Sequence, residues 1–309
     1  MLTRTGAGIA LAVLAMLIFG GQFPIAKSTL SALDSVHLTL YRFLIALACM
    51  IPVLAAVEGW RALAYSGAAR PLLFLGAIGM SLSPLCAFTG NAFSGPEHAA
   101  IILALQPSII AIARWMLRGQ RPAGFTVGCI AIAFVGVACV VTRGRLEFGG
   151  SNDELFGDFL VLLSSLTWVT YVLGVERITT LSAFRLTTLS GIAGCVTTAL
   201  IAFAATATGW ITRPDTTTLA GVLPQLVYLG IGGVFIAMIA WNAAVQRLGA
   251  VDAMLYQNLI PVVAFAIGYW QGKRFEPIEI AGAALVVASL FANSLYLRRV
   301  RRVQRVTPA

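Results

Sequence analysis

Ten long stretches of this chain contain no Asp, Glu, Lys or Arg, and they restrict its fold more than any other feature. A helix needs about 20 mostly apolar residues to cross the ~30 Å hydrocarbon layer of a membrane, and flanking charged side chains can extend a shorter stretch to the interface. The pattern predicts an all-α integral membrane protein with ten transmembrane helices. The stretches are 5–26, 43–57, 71–96, 98–113, 122–142, 159–175, 186–212, 216–246, 253–272 and 280–297.

Composition and patterning exclude two other fold classes. Only 11% of the 309 residues are charged and 59% are apolar, whereas soluble domains carry roughly 25% charged residues. A water-soluble globule is therefore excluded. Segments such as 9–18 and 281–291 are apolar on every face, whereas a transmembrane β-strand alternates apolar and polar residues.

An internal repeat divides the chain into two halves of five helices. Gly8 matches Gly157 and Lys27 matches Glu176 at an offset of 149 residues, and Pro107 matches Pro261 at an offset of 154 after a loop of different length. Because five is odd, the second half must enter the membrane from the opposite side, which makes the repeats inverted. Inverted repeats are common in secondary transporters, although some channels and membrane enzymes also carry duplicated halves.

The repeat also predicts the domain organisation. We expect a first five-helix repeat at 1–142, a linker at 143–156, a second five-helix repeat at 157–297 and a basic tail at 298–309. The first stretch matches the sixth, so we interpret it as a retained helix rather than a cleaved signal peptide.

The distribution of Lys and Arg predicts the orientation. With the N-terminus inside, 14 of the 21 Lys and Arg residues lie on the cytoplasmic side, 6 lie on the other side, and Arg42 lies within a helix. Cytoplasmic loops carry this excess, so both termini are expected in the cytoplasm. The five arginines of the tail favour anionic lipid headgroups over nucleic acid as partners, because they directly follow the last apolar stretch.

Polar and aromatic side chains inside the apolar stretches are the candidate substrate-binding residues, since such groups usually face a cavity or a partner. Gln22 and its repeat counterpart Tyr171 lie one turn beyond Phe19 and Trp168, and Trp168 is too deep for an interfacial aromatic belt. Residues next to Pro107 and Pro261 are predicted at helix kinks, where they either line a cavity or only satisfy freed backbone groups. The full set is Gln22, Arg42, Phe88, Asn91, Gln106, Trp168, Tyr171, Trp241, Asn242, Tyr256, Gln257 and Asn258.

Arg42 is the one charged residue well inside an apolar helix, and no intramembrane carboxylate is available to pair with it. Two interpretations stay open. It binds an anionic group of the substrate, as intramembrane ionisable residues often do, or it reaches the outer headgroups, since it lies roughly 6–10 Å into its helix.

The sequence offers few groups for proton coupling, metal binding or catalysis. Asp34, Glu97, Asp252, His37 and His98 all lie near helix ends, so a proton-coupled mechanism would depend on Glu176, Glu97 or a proton carried by the substrate. Otherwise the protein is a facilitator or an exchanger. The five cysteines form no C-x-x-C pair, and we expect no disulfide, metal or cofactor.

Taken in order, these residues resemble the EamA-type branch of the drug/metabolite transporter superfamily. The resemblance covers nearly the whole chain and is carried by the segments 19–27 and 41–43, by Gly157-Asp158, by the Trp168-to-Tyr171 pattern, and by the blocks 95–136 and 249–282. Gly119-Gln120 and Gly272-Lys273 depart from it, because the family usually has Gly-Glu there.

The resemblance implies a bacterial inner-membrane carrier that exports or exchanges small metabolites, often amino acids, by alternating access. A lipid flippase is an alternative with the same topology. An intramembrane enzyme is disfavoured, because the sequence has neither G-x-S-x-G nor H-E-x-x-H. A homodimer is left open.

Overall fold

The computed structural model describes residues 4–65, 67–103, 105–119, 121–142, 152–270 and 276–306. Within these ranges the chain forms ten long helices, as the sequence predicts. The first five are α1 (Arg4–Leu30), α2 (Ser35–Glu58), α3 (69–103), α4 (Gln106–Arg118) and α5 (Gly124–Thr142). The second five are α6 (Asn152–Arg177), α7 (Ala183–Ala207), α8 (216–248), α9 (250–270) and α10 (Pro277–Val306).

Six helical stretches are long and apolar enough to cross a membrane, judged by length and composition within the described residues. They are Thr5–Leu30, Ser35–Glu58, Ala69–Phe93, Asn152–Arg177, Ala183–Ala207 and Thr216–Leu248. Two shorter apolar stretches, Gly124–Gly136 and Pro277–Asn293, belong to α5 and α10. The predicted linker at 143–156 lies mostly outside the described residues, and so do Gln120 and Lys273.

The predicted kinks at the two repeat-related prolines are confirmed. The chain leaves the helix between Leu103 and Gln106, just before Pro107, and forms a 3₁₀ segment at Leu255–Asn258, just before Pro261. Proline has no N–H to donate to the carbonyl four residues earlier, and its ring crowds that carbonyl, so the helix is interrupted in the turn before each proline. The fourth helix therefore begins at Gln106, later than the uncharged stretch 98–113 indicates, because α3 continues to Leu103.

Two π-helical segments interrupt the long helices α3 and α8, at Gly76–Leu82 and Tyr228–Ala237. The repeat offset of 154 residues places the first within the second, so the two halves share this irregularity. A π-helical turn inserts an extra residue and is frequent at functional sites. Both segments contain glycines that allow close approach to another helix.

The main core lies between the two halves. Its fully buried side chains include Met16 and Phe43 from the first half and Tyr171, Leu189 and Trp241 from the second. The two halves therefore bury their largest side chains against each other, where a site shared by the repeats would lie.

Candidate functional site

Three aromatic rings from α6 and α8 stack in the centre of the core. The ring centroids of Trp168 and Tyr171 are 5.4 Å apart, and those of Trp168 and Trp241 are 6.2 Å apart. Tyr171 and Trp241 are fully buried, whereas Trp168 is half-buried. The sequence predicted these three residues as site members, and the structure brings them into one group.

Asn242 ties the aromatic group to α7. Its Nδ2 donates hydrogen bonds to the hydroxyl of Tyr171 at 2.7 Å and to Oγ1 of Thr187 at 2.8 Å. All three residues have 0% exposure. These two hydrogen bonds hold the Tyr171 hydroxyl and Thr187 on the same amide nitrogen and so restrict the position of the Tyr171 ring.

Several buried polar atoms around this group have no hydrogen-bond partner. Among the described residues they are Nε1 of Trp168, Nε1 of Trp241 and Oδ1 of Asn242, and Oε1 of Gln257 on the kinked segment of α9 also has no partner there. Leaving such an atom unsatisfied costs about 1–3 kcal/mol, so each one needs a water or a ligand to explain it. Two indole donors and two amide acceptors can together hold a small polar ligand.

Arg42 forms a second group with two phenylalanines. Its guanidinium carbon lies 5.3 Å from the ring centroid of Phe43 and 5.1 Å from that of Phe88, which is cation–π geometry. The residue is only 6% exposed, and its Nε has no hydrogen-bond partner. Within the described residues it has no ion pair, so the side chain is buried among aromatic rings rather than extended to the protein surface.

Gln22 links the first half to the π-helical segment of α8. Its side chain packs directly on Gly233, while its repeat counterpart Tyr171 packs on Gly79, the counterpart of Gly233. Both glycines lie in the π-helical segments. The same contact therefore occurs twice between the halves, each time from the first helix of one half to the π-helical segment of the other, as the repeat requires.

The kinked helices contribute the remaining candidates. Gln106 is buried at the start of α4, and its Nε2 lies 3.4 Å from Oγ of Ser165 on α6. The 3₁₀ segment of α9 holds Tyr256, which is half-buried, together with the buried Gln257 and Asn258. Asn91 is half-buried on α3, beyond its π-helical segment.

The candidate residues are spread along α8 rather than gathered in one pocket. The carbonyl of Arg42 packs on Gly230, the side chain of Gln22 packs on Gly233, and Trp168 stacks on Trp241. Eleven residues separate Gly230 from Trp241, which is roughly 15 Å at about 1.5 Å per helical residue. The arrangement has two levels, with Arg42 and Phe88 at one and the stacked aromatic group at the other.

Sequence reasoning missed two polar residues of α2 and α7. Thr187 completes the Asn242 network, and Thr39 lies one turn before Arg42 with a buried hydroxyl that has no partner. Both are hydroxyl residues on apolar helices, where a hydroxyl can also satisfy itself on the backbone of its own helix, as Thr187 does with Ala183. The sequence alone therefore could not distinguish these two hydroxyl groups from ones that only bond to the backbone of their own helix.

Within the described residues, no group of three His, Cys, Asp or Glu side chains is placed so that it could hold a metal ion.

The comparisons with known proteins decide the family. The model of the EamA-like transporter family matches residues 6–142 and again residues 155–295. The chain belongs to this family. It is accordingly a transporter of the drug/metabolite superfamily rather than an enzyme, and each half is one copy of the family's domain.

Relatives of this transporter match along nearly their whole length. Two proteins of Bacillus subtilis (strain 168), described as the uncharacterized transporters YrdR and YyaM, are 25% identical over 296 residues and 26% identical over 283 residues. The alignments cover 94% and 90% of this chain and 92% and 90% of those proteins. An uncharacterized transporter of Archaeoglobus fulgidus is 26% identical, over 92% of this chain and 96% of its own.

A solved crystal structure shares the fold. It superimposes with a TM-score of 0.77 at 20% identity and covers 96% of this chain and 99% of its own.

Proposed function

We propose that this EamA-family protein is a secondary transporter for small metabolites that carry a carboxylate, such as amino acids and related compounds. Alternating access would expose one site between the halves to each side of the membrane in turn. The proposed direction is export from the cytoplasm, and it rests on the family resemblance. The site residues are those of the two levels along α8, with the kinked segments of α4 and α9 beside them.

The proposed substrate class rests on the buried guanidinium of Arg42, which has no ion pair among the described residues. A charged group without a counterion is expensive in a low-dielectric interior, and a carboxylate fits the planar guanidinium with two parallel hydrogen bonds. An arginine that serves as a headgroup anchor would expose its charged end, whereas Arg42 is 6% exposed. These facts favour substrate binding over the alternative of a lipid anchor.

The stacked aromatic group supports an amphipathic substrate body. Trp168 and Trp241 offer apolar faces together with unpartnered indole donors, and Asn242 offers an unpartnered acceptor. Ligand sites are mostly apolar with a few convergent polar groups, and this group has that character. A zwitterionic metabolite would satisfy both the donors and the acceptor.

Tryptophan fluorescence tests the substrate class. We expect a saturable change when amino acids or small organic acids are added to the purified protein, because a ligand beside Trp168 changes its surroundings. The matching carboxamides and methyl esters should bind at least about tenfold more weakly, since they lack the charge that pairs with Arg42. Equal binding of acid and amide would refute the carboxylate proposal, and Trp168→Phe provides the control for the signal.

The orientation is a proposal of its own. We propose a bacterial inner-membrane location with both termini in the cytoplasm, supported by 14 Lys and Arg on that side against 6 on the other. A green fluorescent protein fused after Ala309 should fluoresce, and alkaline phosphatase at the same place should be inactive. Active phosphatase would contradict the proposed topology and would place the C-terminus on the opposite side of the membrane.

Membrane lipids and the transported solute are the proposed partners. We also propose that the protein can form a homodimer.

A further inference from the structure

One carboxylate joins the ends of three helices on the side assigned to the cytoplasm. Oε1 of Glu176, at the end of α6, lies 3.2 Å from Nη1 of Arg114 on α4. The same oxygen accepts a hydrogen bond of 3.2 Å from the backbone N–H of Ala250, the first residue of α9. The side chains of Arg114 and Glu176 are 24% and 14% exposed. We call these three groups the Glu176 clamp.

Gly249 allows α9 to begin against this carboxylate. Its φ of +90° lies in a region that L side chains rarely adopt, and a Cβ there would approach Oε1 of Glu176 to 3.2 Å. The chain therefore turns tightly at Gly249 and places the N–H of Ala250 on the carboxylate. Glu176 is thus not a solvent-exposed charge at a helix end.

The inverted repeat cannot form the same clamp on the opposite side. The counterpart of Glu176 is Lys27, that of Arg114 is Gly268, and that of Ala250 is Pro96, which has no backbone N–H. Lys27 is exposed and has no ion pair within the described part of the chain. The clamp is therefore a property of one side only.

The residues that lie deeper in the membrane than the clamp are fully buried. Ala253 and Met254 of α9 and Val245 of α8 all have 0% exposure. A solute could pass here only if α4, α6 and α9 separated, and that separation would break both contacts of Glu176.

We propose that the Glu176 clamp is the cytoplasmic gate of this transporter. This inference rests on the proposed function, because a gate presupposes alternating access and the assigned orientation. The clamp stabilises the state that is closed to the cytoplasm, and the counterpart residues Lys27, Gly268 and Pro96 cannot form an equivalent contact on the opposite side. The resting protein therefore favours the outward-facing state, and opening to the cytoplasm requires the ion pair to break. Arg114 and Glu176 position helices and need not touch the solute.

Alkylation of a cysteine behind the clamp tests the gate without any substrate. Ala253→Cys is introduced into a protein whose five native cysteines are replaced by serine, and its reaction with a membrane-impermeant maleimide is followed in inside-out vesicles. We expect Glu176→Gln to speed the reaction at least about tenfold, which corresponds to about 1.4 kcal/mol of lost closure. The exchanged pair Arg114→Glu with Glu176→Arg should restore slow labelling.

The repeat supplies the matched control. Lys27→Gln changes the equivalent position of the other half and should leave the labelling rate within about twofold, because Lys27 joins no helices. Unchanged labelling in both Glu176→Gln and Arg114→Gln would overturn the gate. Equal acceleration by Lys27→Gln would also overturn it, because the faster labelling would then be a general effect of removing a charge. If labelling behaves as predicted but no solute is transported, the gate stands and the substrate proposal fails.

Discussion

Replacing Arg42 with methionine should reduce transport of a carboxylate substrate about 100-fold without destabilising the protein. Loss of a buried charge pair typically removes 2–5 kcal/mol, and about 2.7 kcal/mol corresponds to 100-fold. Methionine removes the charge but keeps an unbranched, flexible and apolar side chain in the space beside Phe88. Removing a buried charge that lacks a counterion should also leave the melting temperature of the substrate-free protein unchanged or raise it.

Two further variants separate this role from a structural one. Arg42→Lys keeps the charge but loses the planar pair of donors, so an intermediate loss of roughly tenfold is expected. Arg70→Ala removes an exposed arginine at the start of α3 and should transport normally. A lower melting temperature together with normal transport in Arg42→Met would show that Arg42 is a packing residue. Flux in proteoliposomes and a thermal unfolding curve provide the two readouts.

Replacing Gly79 with alanine should cause a large loss of stability. The added Cβ would overlap Cβ and Cγ of Tyr171, which cannot move without shifting α6. Overpacking of this kind costs about 3 kcal/mol, or roughly 6–12 °C in melting temperature. Because Tyr171 is held by Asn242, the aromatic group at the centre of the site should also be disturbed.

The two halves provide graded controls for this substitution. At Gly233 the added Cβ would meet the end of the flexible Gln22 side chain, so Gly233→Ala should cost less than Gly79→Ala. Gly128, on α5, has nothing within 4 Å of the added atom, and Gly128→Ala should change stability by at most about 1 kcal/mol. Equal melting temperatures for all three variants would contradict the close packing of α3 on α6.

The periodic features of the fold could be predicted from the sequence. The ten uncharged stretches predict ten helices, and the described residues form ten, of which six are long and apolar enough to cross a membrane. The kinks before Pro107 and Pro261 follow from the missing backbone donor, and the structure confirms both. The sequence predicts Trp168, Tyr171, Trp241 and Asn242 as candidate site residues because polar groups deep in a membrane need partners, and the structure places these four in one group.

Other features depend on packing that the sequence does not encode locally. The burial of Arg42 depends on Phe88, which comes from a different helix. Its depth within α2 alone left two interpretations open. The candidate residues lie at two levels because α2 contacts α8 at Gly230, whereas α6 contacts α8 at Trp241. The contacts of Glu176 with Arg114 and with the N–H of Ala250 join residues far apart in the sequence, so its position at the end of α6 alone could not predict them.

The central claim is that this EamA-family protein carries a small anionic or zwitterionic metabolite by alternating access. Counterflow tests it most directly: proteoliposomes loaded with a mixed pool of unlabelled amino acids and organic acids receive traces of labelled ones, with no ion gradient. We predict saturable, transient accumulation of at least one carboxylate that is absent from empty liposomes and lost in Arg42→Met. Failure of every labelled carboxylate to accumulate, in protein that is folded and inserted, would contradict the account.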